Sequence, residues 1–300
     1  MKKVKVARHS ELELSELILG FWRLKSLEAN EVIHLINHAL SLGISSIDEA
    51  DIYGNYQSQT YLGRALKEQP SLRDKIQIIS KGGIVLSGSR FSKSGIGFYD
   101  TTEKHLMQSV EQCLSDLQTD YLDLFLIHRP DVLMDPQVID SAFKKLKQQG
   151  KVLHFGVSNF TPSQFDLLCS QMETPLVTNQ IEWSVLHHQP VYDGSLDSAL
   201  KHGIRPMIWS PLGGGQLFTG NSPKQIEVRK VMQDISEELG GIALDQLALA
   251  WILKHPAKAL PVIGTLKTER ISSAAKAFDV NMNNEQWYRL LIASQGAPMP

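Results

Sequence analysis

An aspartate, a tyrosine, a lysine and a histidine each fall where an apolar run of this chain ends. Asp48 and Tyr53 follow the run 44–47, Lys81 follows 76–80, and His128 follows 122–127. Together these side chains make a proton-donating set. A tyrosine is a weak acid near neutral pH, with an ordinary pKa of about 10. An ammonium beside it favours the phenolate and lowers that value. A drop of about 3 units corresponds to roughly 4 kcal/mol of differential interaction. Lys81 can supply the ammonium, and Asp48 can hold it charged and in place. His128 can hydrogen-bond a substrate oxygen or relay a proton to Tyr53. Such a set suits protonation of an oxygen on which negative charge develops. Carbonyl reduction needs that step when a cofactor delivers hydride to the carbon. Singly, each residue is ordinary: a loop charge, a packed tyrosine, a satisfied core histidine. The recurrence at successive strand ends carries the reading.

Holding these groups together requires strands whose ends converge, and the chain reads as alternating strands and helices. Val32, Ile33, Leu35, Ile36, Ala39 and Leu40 give 28–42 one broad apolar helical face, which Gly43 stops. Strands are predicted at 17–20, 44–48, 75–80, 121–127, 152–158, 176–180, 205–209 and 260–263. Between them helices are predicted at 61–66, 101–117, 136–149 and 195–202, with two more at 226–239 and 244–254. Thr101 or Thr102 caps the helix at 101–117, Thr161 and Pro162 open another, and 270–278 reads as the last regular helix. Eight strand–helix units in one chain predict a closed (β/α)8 TIM barrel with its chemistry at the C-terminal strand ends. An open doubly wound sheet is the alternative, but no strand–GxGxxG–helix unit opens the chain. Residues 1–14 alternate weakly and read as a hairpin plugging the barrel bottom. No linker or low-complexity segment divides the chain, so 1–300 reads as a single domain. The one long connection, 82–100, is rich in Gly and Ser and reads as a functional loop.

Bulk properties exclude several classes. The chain has 300 residues, 42% of them hydrophobic, and a formal net charge of -2. No broad basic field is present for nucleic acid or an anionic membrane. Cys113 and Cys169 offer neither a disulfide framework nor zinc spacing, as expected of a reducing compartment. The basic start, Met1 to Val6, leads into no apolar core, so no signal peptide is expected. No apolar stretch is long enough to span a bilayer, and the expected location is cytoplasmic. His187 and His188 lack the strand-end His-x-His placement of a barrel metal site, so no metal is expected.

Several longer motifs are more specific. They are Asp48-Glu49-Ala50-Asp51-Ile52-Tyr53-Gly54, Ile79-Ser80-Lys81-Gly82-Gly83 and Leu124-Phe125-Leu126-Ile127-His128-Arg129-Pro130. Gly156-Val157-Ser158-Asn159-Phe160 and Trp209-Ser210-Pro211-Leu212 follow in order. On these motifs the chain resembles the aldo-keto reductase family over nearly its whole length. The resemblance implies a (β/α)8 barrel, a nicotinamide cofactor and reversible reduction of aldehydes or ketones. It assigns Tyr53 as general acid, with Asp48, Lys81 and His128 as partners. It places Ser158, Asn159 and Gln180 on the nicotinamide carboxamide and Trp209 against its ring. It also assigns Ser210, Pro211 and Leu212 to the cofactor bed, and lets backbone amides at Gly213, Gly214 and Gly215 approach the pyrophosphate. Gly264, Thr265, Lys267 and Arg270 then surround the 2′-phosphate and adenine, which makes NADPH the expected cofactor. Trp22 walls the substrate pocket with 82–100, 129–134 and the tail after Trp287. The expected partner is a small carbonyl substrate, and the expected state is a monomer. Departures from the family pattern are Glu49 in place of a small hydroxyl residue, Phe21 before Trp22, and Ser273 and Ala274 where Glu and Asn are common. The alternative is a non-catalytic barrel that binds nicotinamide cofactor and reports redox state to a partner, as in relatives associated with ion channels.

Overall fold

Short runs rich in Ile, Leu and Val become strands in the computed structural model, which describes residues 1–89 and 91–299. The first two, β1 (Lys3–Lys5) and β2 (Glu13–Ser15), pair as an antiparallel hairpin. β3 (Ile18–Gly20), β4 (Ser46–Asp48) and β5 (Gln77–Gly82) follow. β6 (Ile84–Val85) and β7 (Phe98–Tyr99) form a second antiparallel hairpin. The series ends with β8 (Leu122–Ile127), β9 (Val152–Ser158), β10 (Leu176–Glu182), β11 (Met207–Trp209) and β12 (Leu260–Ile263). Leaving out the two hairpins, the strands among the described residues close into a parallel barrel in chain order. A parallel strand needs cover on both faces, which is why β3 and β12 are buried along their whole length.

The hairpin β1–β2 closes the N-terminal end of the barrel, as its sequence suggests. The Arg205 N–H donates to the Val6 carbonyl at 2.7 Å just before β11. Ser15 Oγ accepts from the N–H groups of Ser45 and Ser46, at 3.2 and 3.1 Å, where β4 begins. The loops at the other end are thereby left to form a site.

The helices follow their capping signals. Helix Glu103–Leu117 starts after Thr102, whose hydroxyl accepts from the His105 N–H, and helix Pro162–Gln171 starts after a capping box of Thr161 and Gln164. Three readings need correction. The helix read at 61–66 runs Ser58–Glu68, because its polar first turn is buried against the barrel. The connection read as one long loop at 82–100 carries the short hairpin β6–β7. The helix read at 270–278 is Thr268–Ala275 followed by a 3-10 turn, and it is not the last. Helix Asn284–Gln295 follows it, opened by a capping box of Asn283 and Gln286. That helix docks through Trp287, which stacks on Trp251 at 5.0 Å. Each of these indoles donates to the other's backbone carbonyl, at 3.1 and 2.9 Å. No helix among the described residues is long and apolar enough to cross a membrane.

Candidate active site

The C-terminal ends of β4, β5 and β8 bring Asp48, Tyr53, Lys81 and His128 together. Lys81 lies within β5 and is fully buried. Its ammonium has three protons and three acceptors: Asp48 Oδ1 at 2.6 Å, the Glu49 carbonyl at 2.8 Å and the Tyr53 hydroxyl at 3.0 Å. The other Asp48 oxygen accepts from Gln180 Nε2 at 2.7 Å. Burial opposes the ammonium, but Asp48 and Tyr53 outweigh it and hold Lys81 above the ordinary lysine value. His128 meets the Tyr53 ring edge-on, with centroids 5.9 Å apart. Burial, then Lys81 and Arg129, hold its imidazole well below the ordinary range, so it is neutral.

The phenol corrects one expectation. The Lys81 ammonium does pull it down, as its placement predicts, but burial dominates and the Asp48 charge adds to it. Tyr53 therefore lies above its ordinary value and stays protonated at neutral pH.

The groups chosen for the carboxamide also meet, but their polar ends are paired with one another. Ser158 Oγ donates to the Gln180 carbonyl at 3.0 Å and accepts from Asn159 Nδ2 at 2.8 Å. Asn159 Oδ1 accepts from Trp209 Nε1 at 2.8 Å. The Gln180 amide is used on Asp48, a link from β10 to β4 that sequence reasoning missed. Beyond Ser210, Pro211 and Leu212, the glycines Gly213, Gly214 and Gly215 turn tightly, with φ of 59°, 64° and 97°. Side chains rarely adopt such angles, which accounts for a glycine run here. The Gly213 and Gly215 amides donate within this turn, to the Ser210 and Leu212 carbonyls.

Gly264 and Thr265 link β12 to helix Thr268–Ala275, where Lys267 and Arg270 stand exposed. Trp22 lies against this end: a Cβ on Gly264 would come within 2.4 Å of its indole nitrogen. Arg23, which sequence reasoning missed, stacks over the Trp22 ring at 4.1 Å and donates to the Gly264 carbonyl at 2.9 Å. Of the departures, Ser273 accepts from Gln246 at 3.2 Å and Ala274 is buried.

Glu49 and Asp51 are both buried, another feature the sequence reading did not find. The only signal was a run of carboxylates, Asp48, Glu49 and Asp51, directly after a short strand. Asp51 Oδ2 accepts from Ser109 Oγ at 2.6 Å, while Oδ1 is buried with no partner among the described residues. Burial pushes the Asp51 carboxyl up to about 7, against the opposing pull of Ser109, the Ile52 backbone and Lys81. In the unfolded chain the same group titrates near 3.9. Between those values the folded state binds the proton more tightly, so Asp51 makes stability fall as pH rises, by on the order of 4 kcal/mol in all. Asp51→Asn is expected to remove that slope. In urea unfolding, its stability relative to the unmodified chain should be greater at about pH 8 than at about pH 5. A pH-independent difference would contradict the burial argument.

The chain is similar to known proteins along nearly its whole length. Residues 16–294 match the Aldo/keto reductase family. The chain is 43% identical to the oxidoreductase YdhF of Escherichia coli (strain K12), over 96% of each chain. It is 42% identical to a 6-dehydroglucose reductase of Agrobacterium fabrum (strain C58 / ATCC 33970), over 97% of this chain and 98% of that one. A solved thermostable aldo-keto reductase in complex with the inhibitor epalrestat superposes with a TM-score of 0.81 at 25% identity. That match covers 98% of this chain and all of the other.

Proposed function

The chain belongs to the aldo/keto reductase family, and from that premise we propose that it is an NADPH-dependent carbonyl reductase with Tyr53 as its general acid. The observation that carries the reading is the buried Lys81 ammonium, held at once by Asp48 at 2.6 Å and by the Tyr53 hydroxyl at 3.0 Å.

When bound, the cofactor supplies hydride to the carbonyl carbon. Tyr53 gives its proton to the carbonyl oxygen as charge builds there. Lys81 then faces a phenolate instead of a phenol. Its hydrogen bond strengthens as the reaction advances, and such differential stabilisation accelerates the step. Asp48 keeps the ammonium oriented, and Gln180 fixes Asp48. Neutral His128 orients the oxygen by a hydrogen bond without competing as an acid. The intact set favours an enzyme over a redox sensor, which needs no proton donor.

The residues at the strand ends suit an anionic dinucleotide. Among the described residues, no ion pair engages Arg23, Arg129, Lys267 or Arg270. Trp209 would present its ring to the nicotinamide. Ser158, Asn159 and Gln180 would have to exchange partners to hold the carboxamide. Lys267 and Arg270 would hold the 2′-phosphate of NADPH; with NADH both would lack an anion. Charge-assisted contacts contribute about 1.5–3 kcal/mol each, so NADPH is expected to bind at least tenfold more tightly than NADH. Arg270→Ala is expected to erode that preference mainly through cofactor affinity. Equal dissociation constants for NADPH and NADH in the unmodified protein would contradict the assignment.

The function itself is tested by NADPH oxidation with a panel of aldehydes and ketones. The panel should include a sugar aldehyde, since one relative is a 6-dehydroglucose reductase. Substrate-dependent oxidation is expected. Tight cofactor binding with no oxidation by any carbonyl would favour the sensor.

A further inference from the structure

We propose that Glu49 is a neutral carboxylic acid and a positioning residue, donating its proton to Ser58 and thereby holding the Lys81–Tyr53 pair in register. The significance for turnover rests on the carbonyl-reductase reading; the protonation state does not.

The protons and partners around Glu49 can be counted. Glu49 follows Asp48 at the end of β4 and is fully buried. Its N–H donates to the Ile79 carbonyl at 2.9 Å, and its carbonyl accepts from Lys81 at 2.8 Å. The backbone is thus pinned between β5 and the ammonium. Glu49 Oε1 lies 3.1 Å from Ser58 Oγ, and Oε2 is buried with no partner among the described residues. Ser58 Oγ lies equally close, 3.1 Å, to the Phe21 carbonyl, which also accepts from the Leu24 N–H at 2.7 Å.

A hydroxyl has one proton. An ionised Glu49 could receive only that neutral hydrogen bond and the pull of the neighbouring Ala50 backbone N–H. No cation is left for it, because all three Lys81 protons already have acceptors. A buried carboxylate so poorly paired is strongly disfavoured. A protonated Glu49 needs no cation: its O–H donates to Ser58, Ser58 donates to the Phe21 carbonyl, and the oxygen left without a partner is a neutral carbonyl. Burial accordingly drives the Glu49 carboxyl well above the usual range, with Ser58, Lys81 and the Ala50 N–H opposing only in part.

Neutrality has a consequence for the pair. A second carboxylate beside Lys81 would share its charge with Asp48 and oppose phenolate formation on Tyr53. As an acid, Glu49 fills the space and leaves the ammonium to Asp48 and Tyr53. Through Ser58 it also ties β4 to the backbone of Phe21, next to Trp22.

Two measurements on the full chain test this. Infrared spectroscopy at about pH 9, where ordinary carboxylates are ionised, should show a protonated-carboxyl C=O band that disappears in Glu49→Gln. Absence of that band in the unmodified chain would overturn the proposal, whatever the protein's activity. In kinetics, Glu49→Ala is expected to lose roughly ten- to a hundred-fold in kcat through misplacement of the pair, with cofactor affinity kept. Glu49→Gln, whose amide can donate to Ser58 in the same place, should rescue most of that loss and keep the pH profile. Two outcomes count against the positioning role: Gln as damaging as Ala, or both variants fully active. If Glu49→Ala does not fold, the infrared band and Glu49→Gln still decide. If the unmodified chain reduces no carbonyl, the function fails while the infrared result still judges Glu49.

Discussion

Tyr53→Phe is expected to lower turnover by at least a hundred- to ten-thousand-fold, the usual contribution of a general acid, while leaving cofactor binding intact. The substitution removes only the hydroxyl. The ring edge against His128, at 5.9 Å, remains. Lys81 loses one acceptor but keeps Asp48 and the Glu49 carbonyl, so the ion pair and the fold persist. The raised phenol sharpens the expectation. Tyr53 is fully protonated at neutral pH, so its loss is the loss of a proton donor and not of a phenolate base. Fluorescence titration of the cofactor beside steady-state rates measures both halves. Near-normal carbonyl reduction by Tyr53→Phe would remove Tyr53 from the mechanism.

Lys81→Met should be as damaging to turnover and should also destabilise the fold. Methionine fills much of the same volume but has no charge for the phenolate. It leaves Asp48 Oδ1 bare in a buried site, with Gln180 bonded only to the other oxygen. Removing one partner of a buried ion pair typically costs about 3–5 kcal/mol, which urea unfolding resolves. Adding Asp48→Asn should restore part of the stability, because the unpaired charge is gone. It should restore none of the turnover. A double-mutant cycle separates the two effects. A Lys81→Met protein with unchanged rate would show that the ammonium is structural alone.

The sequence showed the frame of the barrel and the meeting of four side chains, because both follow from local patterns. Gly150 and Gly203 punctuate their segments sharply, so β9 and helix Ser195–His202 were read to the residue. Apolar runs ending in Asp48, Lys81 and His128 showed which strand ends face one another once the barrel closes. What stayed hidden depends on contacts far apart in sequence. Gln180 reaches Asp48 across 132 positions, and Arg23 reaches Gly264 across 241. The direction of the Tyr53 shift depends on burial, which no spacing reveals. Asp51 and Glu49 look like solvated turn charges until the helices Ser58–Glu68 and Glu103–Leu117 cover them with Ser58 and Ser109. The last helix was obscured by the polar stretch before it, although Asn283 and Gln286 carried a capping signal that could have found it.

In the proposed reaction hydride moves from a reduced nicotinamide to a carbonyl carbon while Tyr53 protonates the oxygen. Isotope transfer tests it most directly. The protein is incubated with NADPH deuterated at both C4 positions and an aldehyde, and the product is examined by mass spectrometry. The expected product is an alcohol with one deuterium on the carbinol carbon, formed by the unmodified chain and scarcely at all by Tyr53→Phe. Oxidised cofactor with no deuterium in the alcohol, or equal labelling by both proteins, would contradict the account.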